Sequence, residues 1–553
     1  MPRRKSIELS EREPLDTAER QRAEHPLTHT KVLYRYAIKR ILPSFLGKLP
    51  RKEGVFMPKE GRPHPRKQPR VPGELTLEGL KGAFVQCVDF FTRTVALGDG
   101  EHRATVCYLL GMARNERLQD YVLKPMMSDR VLAEAKIEEL PMLLEQKALY
   151  AQSVKRPGDL DEAVLDLISG FCAVVLPGGE VLTIPVPTEE KRSIGEPENE
   201  PALKGSRESF VESIRTNTAM LRRHLRAPEL RISEHIVGRQ SLTAVDVVWL
   251  EGIADPAVLR KVRRRLEEMD IDAVEAAGDL EEYLNDTVKS PFPLLPYTQR
   301  PDRFCQGLLE GRVGIFADGI PLGWLAPGTI GQFFTTGQDR AYHYLVASAL
   351  RLVRYGCAIL SVLLPALYIA VVTYHPEAIP ARLALSIVAA KQDVPFSTVF
   401  EVLILLLSFE VIQEAGLRLP GPIGSTVSIL GGLIVGNAAV QAHIVSPAVL
   451  IVVAVAGIAG YTQPSQDMGS ALRLWRFLLA VLASVGGLFA LSGGLAALVW
   501  HLAGLESFGV PYLAPFTTGL KAPKGHPSLI RLPLPWMKWR EVTPAGMNRR
   551  RQK

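Results

Sequence analysis

Nineteen consecutive residues without a charge, "GCAILSVLLPALYIAVVTY" (356–374), constrain this chain more than any other stretch. As a helix rising about 1.5 Å per residue, such a run crosses a hydrocarbon core of about 30 Å. Arg351 and Arg354 precede it, and flanking positive charge stays on the cytoplasmic side, so its N-terminal end is expected to face the cytoplasm. Pro365, in mid-span, requires neighbouring helices or water to satisfy the carbonyl it frees.

Apolar residues are unevenly spread along the chain. Residues 1–340 read as charged soluble protein, whereas 344–503 are dominated by Leu, Val, Ala, Ile and Gly. Further apolar runs follow the first: 381–390, too short to span and expected to be re-entrant or interfacial; 399–412, marginal; 423–444 and 446–462, two spans joined at Ser446-Pro447; and 477–505, a long final span. Four clear spans are expected, with one or two partial segments. Gly431, Gly432, Gly436, Gly486, Gly487, Gly493 and Gly494 permit close helix–helix approach.

One segment, "FEVLILLLSFEVIQEAGLRLPGPIG" (400–424), combines leucines with three carboxylates. On a helix Glu410 and Glu414 share a face and Glu401 lies roughly opposite, so the helix carries carboxylates on more than one side and cannot sit wholly in lipid. A carboxylate at the bilayer centre costs about 2.5–3.5 kcal/mol even on a lenient scale. Three environments remain open: the headgroup level, with Arg418 pairing Glu414; interhelical pairing with Lys391 or Arg473; or an ion path or gate, because acidic rings select cations. Glu401, Glu410, Glu414 and Asn437 are the gate or ion-path candidates, and Arg351 and Arg354 are the candidates for coupling the soluble part to the first span. Gln441 and His443 add polar groups that more commonly make interhelical hydrogen bonds.

The soluble part repeats itself. Slid by 141 positions, "TVCYLLGMARNERLQDYVL" (105–123) falls on "DVVWLEGIADPAVLRKVRR" (246–264), and "GFCAVVLPGGEVLTI" (170–184) falls on "GRVGIFADGIPLGWL" (311–325). Gly111 then matches Gly252, Gly170 matches Gly311 and Gly178 matches Gly319. The fold class expected is therefore a duplicated α/β domain of two similar subdomains, followed by an α-helical multi-span membrane domain. Asp255 and Pro256 stand where a helix N-cap and first position are wanted. The divisions read as a basic, Pro-rich, disordered arm (1–79), a first subdomain (80–190), a linker (191–207), a second subdomain (208–340), the membrane domain (341–510) and a basic tail (511–553).

Composition removes several function classes. The net charge is +7, concentrated at the two ends, but no nucleic-acid-binding motif accompanies it, so no nucleic acid partner is expected. Five dispersed cysteines without a C-x-x-C argue against disulfides and zinc. The opening "MPRRKSIELSEREPLD" has no apolar stretch behind its charges, so no secretory signal is expected. The glycines of the repeat lack a phosphate-loop pattern, and His102, His224, His235 and His343 are scattered with no nucleophile beside them. Neither an enzyme, a metal site nor a cofactor is expected.

Several stretches resemble the A subunit of bacterial spore germinant receptors, the GerA family: "ESFVESIRTNTAMLRRHLR" (208–226), "WLEGIADP" (249–256), "YTQRPDRFCQGLLEGRVGIFADG" (297–319), "LLPALYIAVVTYHPEAIP" (363–380), "FEVIQEAGLRLPGPIGSTVSILGGLIVG" (409–436) and "LESFGVPYLAPF" (505–516). The resemblance implies a multi-pass protein of the spore inner membrane, with its N-terminal domain cytoplasmic. It implies a homo-oligomer forming an ion channel, a transporter-like B subunit and a lipoprotein C subunit as partners, and a small-molecule germinant sensed directly or through a partner. Gln299 stands where the family commonly has an acid, and "AAKQDVPFS" (389–397) and "YTQPSQDMGSA" (461–471) also depart from the pattern. The other functions weighed are a secondary transporter, which calls for inverted repeats in the membrane half, and an accessory spore-membrane channel acting without dedicated B and C subunits.

Overall fold

The computed structural model describes residues 71–98, 100–148, 153–188, 200, 204–418, 436–514, 516–517, 529–537 and 539–540. The arm up to residue 70, most of the linker and most of the tail lie outside these residues.

In the first module, helix α1 (Leu77–Ala83) starts where the Thr76 hydroxyl accepts from Gly79 N at 3.1 Å. Strands β1 (Phe90–Ala96) and β2 (Arg103–Leu109) follow, then a series of short helical turns between Asn115 and Ala148. Helix α2 (Leu160–Ile168), capped by Asp159, leads into β3 (Phe171–Val175) and β4 (Val181–Pro185). The four strands pair antiparallel in the order β1-β2-β3-β4. Alternate residues face opposite sides. Val106, Cys172, Val174 and Leu182 pack on the short helical turns, while Cys107, Leu109, Ala173 and Val181 pack on α1 and α2. A sheet covered on both faces wants near-continuous apolar strands, and β3 and β4 have them, while the edge strand β1 is mostly exposed. Val71, Leu75 and Leu77 pack against the same core, so the module begins earlier than residue 80.

The second module repeats this order. Helix α3 (Ile214–His224) precedes β5 (Leu230–Val237) and β6 (Thr243–Leu250). Helices α4 (Pro256–Glu267) and α5 (Ala277–Leu284) cover one face, with Asp255 capping α4 as its sequence predicts. A short edge strand β7 (Tyr297–Thr298), helix α6 (Pro301–Glu310), β8 (Val313–Ala317) and β9 (Gly323–Ala326) complete it, in the sheet order β5-β6-β8-β9-β7. The central register recurs at a shift of 141. Thr105↔Val175, Val106↔Val174 and Cys107↔Ala173 become Asp246↔Phe316, Val247↔Ile315 and Val248↔Gly314.

The modules join through a buried ion pair. Arg222 of α3 donates to both Asp89 oxygens (2.8 and 2.9 Å) and to Leu230 O, and neither side chain is more than 1% exposed. Val88 N donates to Ile232 O at 2.9 Å. Gly111 has φ +80, and a Cβ there would lie 2.8 Å from the Ala219 methyl, so this glycine lets α3 come close.

The helical half begins with α7 (Tyr344–Tyr374), then α8 (Ala381–Lys391), α9 (Thr398–Arg418), α10 (Pro447–Gly460) and α11 (Gln466–Ala503). Residues 419–435, which hold much of the expected 423–444 span, lie outside the described part. Among the described residues, α7 and α11 are the two helices long and apolar enough to cross a membrane.

The final run is not one straight span. Gly486 and Gly487 leave helical geometry, and Gly487 takes φ +55 with ψ −138, open to glycine alone. The chain reverses there: a Cβ on Gly494 would meet Leu479 Cδ2 at 2.6 Å, and the Trp475 and His501 rings stand 5.9 Å apart. Residues 466–485 and 488–503 thus form an antiparallel pair, with arms of about 30 and 24 Å at helical rise. Tyr374 Oη donates to Ser484 O at 2.5 Å, satisfying a carbonyl next to the break. Both ends of α11 return to the α/β part: His501 meets Ser290 at 2.9 Å, and Met468, Leu505 and Tyr512 share a core with Phe292 and Phe333. Described residues of the tail pack there too: Tyr512, Arg531 and Arg540 are buried, and Arg540 donates to Leu309 O at 2.7 Å.

Replacing Asp89 by Ala leaves Arg222 buried without its counter-charge, which costs about 3–5 kcal/mol. Chemical denaturation of the detergent-solubilised chain is expected to show this loss, against a change within about 0.5 kcal/mol for the exposed Arg93→Ala.

Candidate functional site

The coupling candidates meet at one carboxylate. A 3₁₀ turn at Gly337–Arg340 places Asp339 before α7, where it is fully buried. Arg351 Nε donates to its Oδ2 at 2.9 Å, and Arg354 Nη1 reaches both oxygens at 2.9 and 3.0 Å. Arg354 also donates to Phe334 O, and its own carbonyl accepts from Gln463 Nε2 at 3.2 Å. Residues 351 and 354 are three apart on a helix, so both guanidiniums reach back to the same point. Arg531 closes the cluster from the tail, donating to Asp339 O and Tyr342 O at 2.5 Å each. Arg351 and Arg354 were legible from sequence; Asp339 and Arg531 were not. Asp339 is one of only two acids between residues 311 and 376, and that scarcity beside two arginines was the available signal.

The carboxylates of α9 separate into three environments. Glu401 is fully buried: one oxygen accepts from Ser446 N at 2.7 Å, at the N-cap of α10, and the other faces Lys391 Nζ at 3.5 Å. Negative charge at a helix N-terminus meets unsatisfied N–H groups, so Glu401 holds α9, α8 and α10 together. Glu410 is partly buried and accepts from Arg473 Nη1 (3.1 Å) and Arg476 Nη2 (2.5 Å) of α11. Gln413 takes a further donation from Arg473 at 2.7 Å. Glu414 and Asn437 are exposed on the single chain. Of the three environments open at the sequence level, Glu401 and Glu410 occupy interhelical pairing. The Arg418 side chain lies outside the described residues. Sequence reasoning named Lys391 and Arg473 as partners but missed Arg476.

Glu401 meets the start of α10, and Phe409 packs near Gly457 late in α10, so α9 and α10 run parallel. Glu410, Arg473 and Arg476 lie toward the end of the bundle nearer the α/β modules. Val402, Leu405 and Leu406 pack with Ile369, Val449 and Leu479 between the two charged levels.

In the modules, burial pushes the Cys107, Cys172 and Cys305 thiols up to about 12, which keeps them neutral and unreactive. Among the described residues, no group of three or more His, Cys, Asp or Glu is placed to hold a metal. Burial also lifts Asp246 to about 7, against the opposing pull of Arg215 at 3.1 Å. Glu234, its cross-strand neighbour, shares that arginine.

The chain joins two α/β modules through a charge clamp to an internally ion-paired helix bundle that includes two helices long and apolar enough to cross a membrane. Residues 78–543 match the family described as the Bacillus/Clostridium GerA spore germination protein. The chain belongs to this family. It is 37% identical over 439 residues to the uncharacterized membrane protein YfkQ of Bacillus subtilis (strain 168), covering 79% of this chain and 85% of that one. It is 35% identical over 429 residues to spore germination protein KA of the same organism (77% and 78% covered), and 34% identical over 428 residues to GerLA of Bacillus cereus (77% and 86% covered). A solved structure, the N-terminal domain of the A subunit of the Bacillus megaterium spore germinant receptor GerK3, aligns at 28% identity and a TM-score of 0.37 over 46% of this chain and 95% of that one.

Because Asp246 is held well above its unfolded value, the native state binds the extra proton. Its contribution to stability is full below about pH 4 and is lost as pH rises through about 7. Asp246→Asn is expected to flatten that part of the profile, read by hydrogen exchange of the β5–β6 hairpin.

Proposed function

We propose that this chain is the channel-forming A subunit of a nutrient-responsive germinant receptor in the spore inner membrane. Membership of the GerA family across residues 78–543 carries the reading. Three features of the bundle support it: an apolar helix carrying two arginines in its N-terminal part, a reversal that returns the chain to its starting side, and carboxylates at two levels of the bundle.

In this reading the duplicated α/β part and the C-terminal residues lie in the cytoplasm, because Arg351 and Arg354 flank the entry of α7. Several copies assemble around a path. Glu414 and Asn437, exposed on one chain, line that path between copies, Glu410 with Arg473 and Arg476 forms the lock of the gate, and Glu401 positions α10. A small-molecule germinant, bound here or on a transporter-like B or lipoprotein C partner, shifts the closed assembly toward the open one. The signal passes through Asp339, Arg351 and Arg354, which join the second module to α7. The protein performs no chemistry on the germinant. A second reading is an accessory channel without dedicated B and C subunits. Co-purification of B- and C-type subunits from spores separates the two.

Two measurements test the proposal. Single cysteines at Gln466 and Ala503, both exposed, are expected to react with an impermeant maleimide from one side of oriented vesicles, and a cysteine at Phe489, beside the reversal, from the other. In germinating spores Glu410→Gln is expected to change the rate of ion release about fivefold or more at unchanged protein level. Wild-type release in the Glu401, Glu410 and Glu414 glutamine variants alike removes the gate.

A further inference from the structure

The junction between α6, the 329–340 segment and the start of α7 encloses a cavity of about 100 Å³. Five arginines line it, Arg303, Arg312, Arg340, Arg351 and Arg531, contributed by separate stretches of chain, together with one carboxylate, Glu310, and with Gln332 and Thr335. Gly331 and Gly337 leave backbone without side chains at the wall.

The charges around this cavity do not balance among the described residues. Arg300 pairs with Asp302, and Arg340 with Glu310. Arg303 meets Glu200, while Arg351 and Arg354 share the single carboxylate of Asp339. Arg531 is 7% exposed, donates to backbone carbonyls and, among the described residues, makes no ion pair within 4 Å. Arg351, Arg354 and Arg531, each no more than 14% exposed, thus have one carboxylate, that of Asp339, beside them among the described residues. Buried cations are strongly destabilising without counter-charge, so a cavity walled by them favours an anion. A carboxylate offers two oxygens and fits one guanidinium fork. Guanidinium groups drawn from several stretches of chain around a small volume match a tetrahedral group with three acceptor oxygens.

We propose that this junction cavity binds a phosphate group, carried either by an anionic lipid headgroup or by a free phosphorylated solute. Arg351 serves both the cavity and Asp339, so an occupying phosphate competes for the arginine that ties α7 to the second module. The inference concerns occupancy of the cavity and stands whether or not the bundle conducts ions.

The test uses the full chain in nanodiscs, read by amide hydrogen exchange. In one arm phosphatidylcholine discs are titrated with inorganic phosphate; in the other, discs containing phosphatidylglycerol receive no free phosphate. Saturable protection of 301–310 and 329–342, without change in β1–β4, is expected in at least one arm. Protection in the first arm identifies a free solute, and protection in the second identifies a headgroup. Arg303→Gln and Arg531→Gln are expected to weaken the effect about tenfold or more, Arg303→Lys to weaken it less because it keeps the charge but loses the fork, and Arg93→Gln to leave it unchanged. No protection of these segments by either probe in the wild-type chain overturns the proposal, as does protection that persists in both glutamine variants.

Discussion

The structure turns on where charge is taken out of water. Asp339 is fully buried at the point where the α/β part becomes the helix bundle, and it holds two arginines of the following helix. An ion pair so placed contributes little as net stability, because desolvation offsets the Coulomb gain. It contributes position. The first long helix cannot rotate or slide without leaving a buried charge bare. Glu401 with Lys391 and Ser446, and Glu410 with Arg473 and Arg476, apply the same constraint within the bundle. The apolar contacts between these levels are non-directional and set distance; the ion pairs set register.

The two modules depend on a similar device. The central strands of each sheet are covered on both faces, and contact between the modules runs through loops, strand edges and α3. The contact includes Arg222 on Asp89, Arg231 donating to Ala83 O at 2.6 Å and a backbone hydrogen bond from Val88 to Ile232, with Gly111 removing the side chain that would hold α3 away. Motion of one module relative to the other therefore requires breaking a defined buried pair. That property suits a part whose proposed task is to pass a small-molecule signal to a bundle through two arginines.

Much of the α/β part was legible because its information is local or periodic. Asp255-Pro256 caps a helix on its own chemistry, and strands buried on both faces show as continuous apolar runs. The 141-residue recurrence falls on strand pairs that share a register, since the β2–β3 and β6–β8 pairings place the same inward residues. The pairing of the α9 carboxylates was visible only as a set of alternatives, because a helix fixes which residues share a face but not what stands opposite. Arg476 was overlooked for that reason. The reversal at Gly486-Gly487 was overlooked for another: an unbroken apolar run reads as one span, and glycines there serve close packing and a turn equally well.

The sequence by itself determined a charged α/β part that repeats, an apolar helical part, and the presence of carboxylates and arginines that lipid cannot hold alone. These follow from composition, period and local capping. Only the tertiary structure decided that Asp339 receives Arg351 and Arg354, that Glu401 caps a helix starting 45 residues later, and that the last apolar helix folds back on itself. Each is a choice of partner between groups distant in the chain. Charge pairing is set by distance in space, which the order of residues along a chain does not contain.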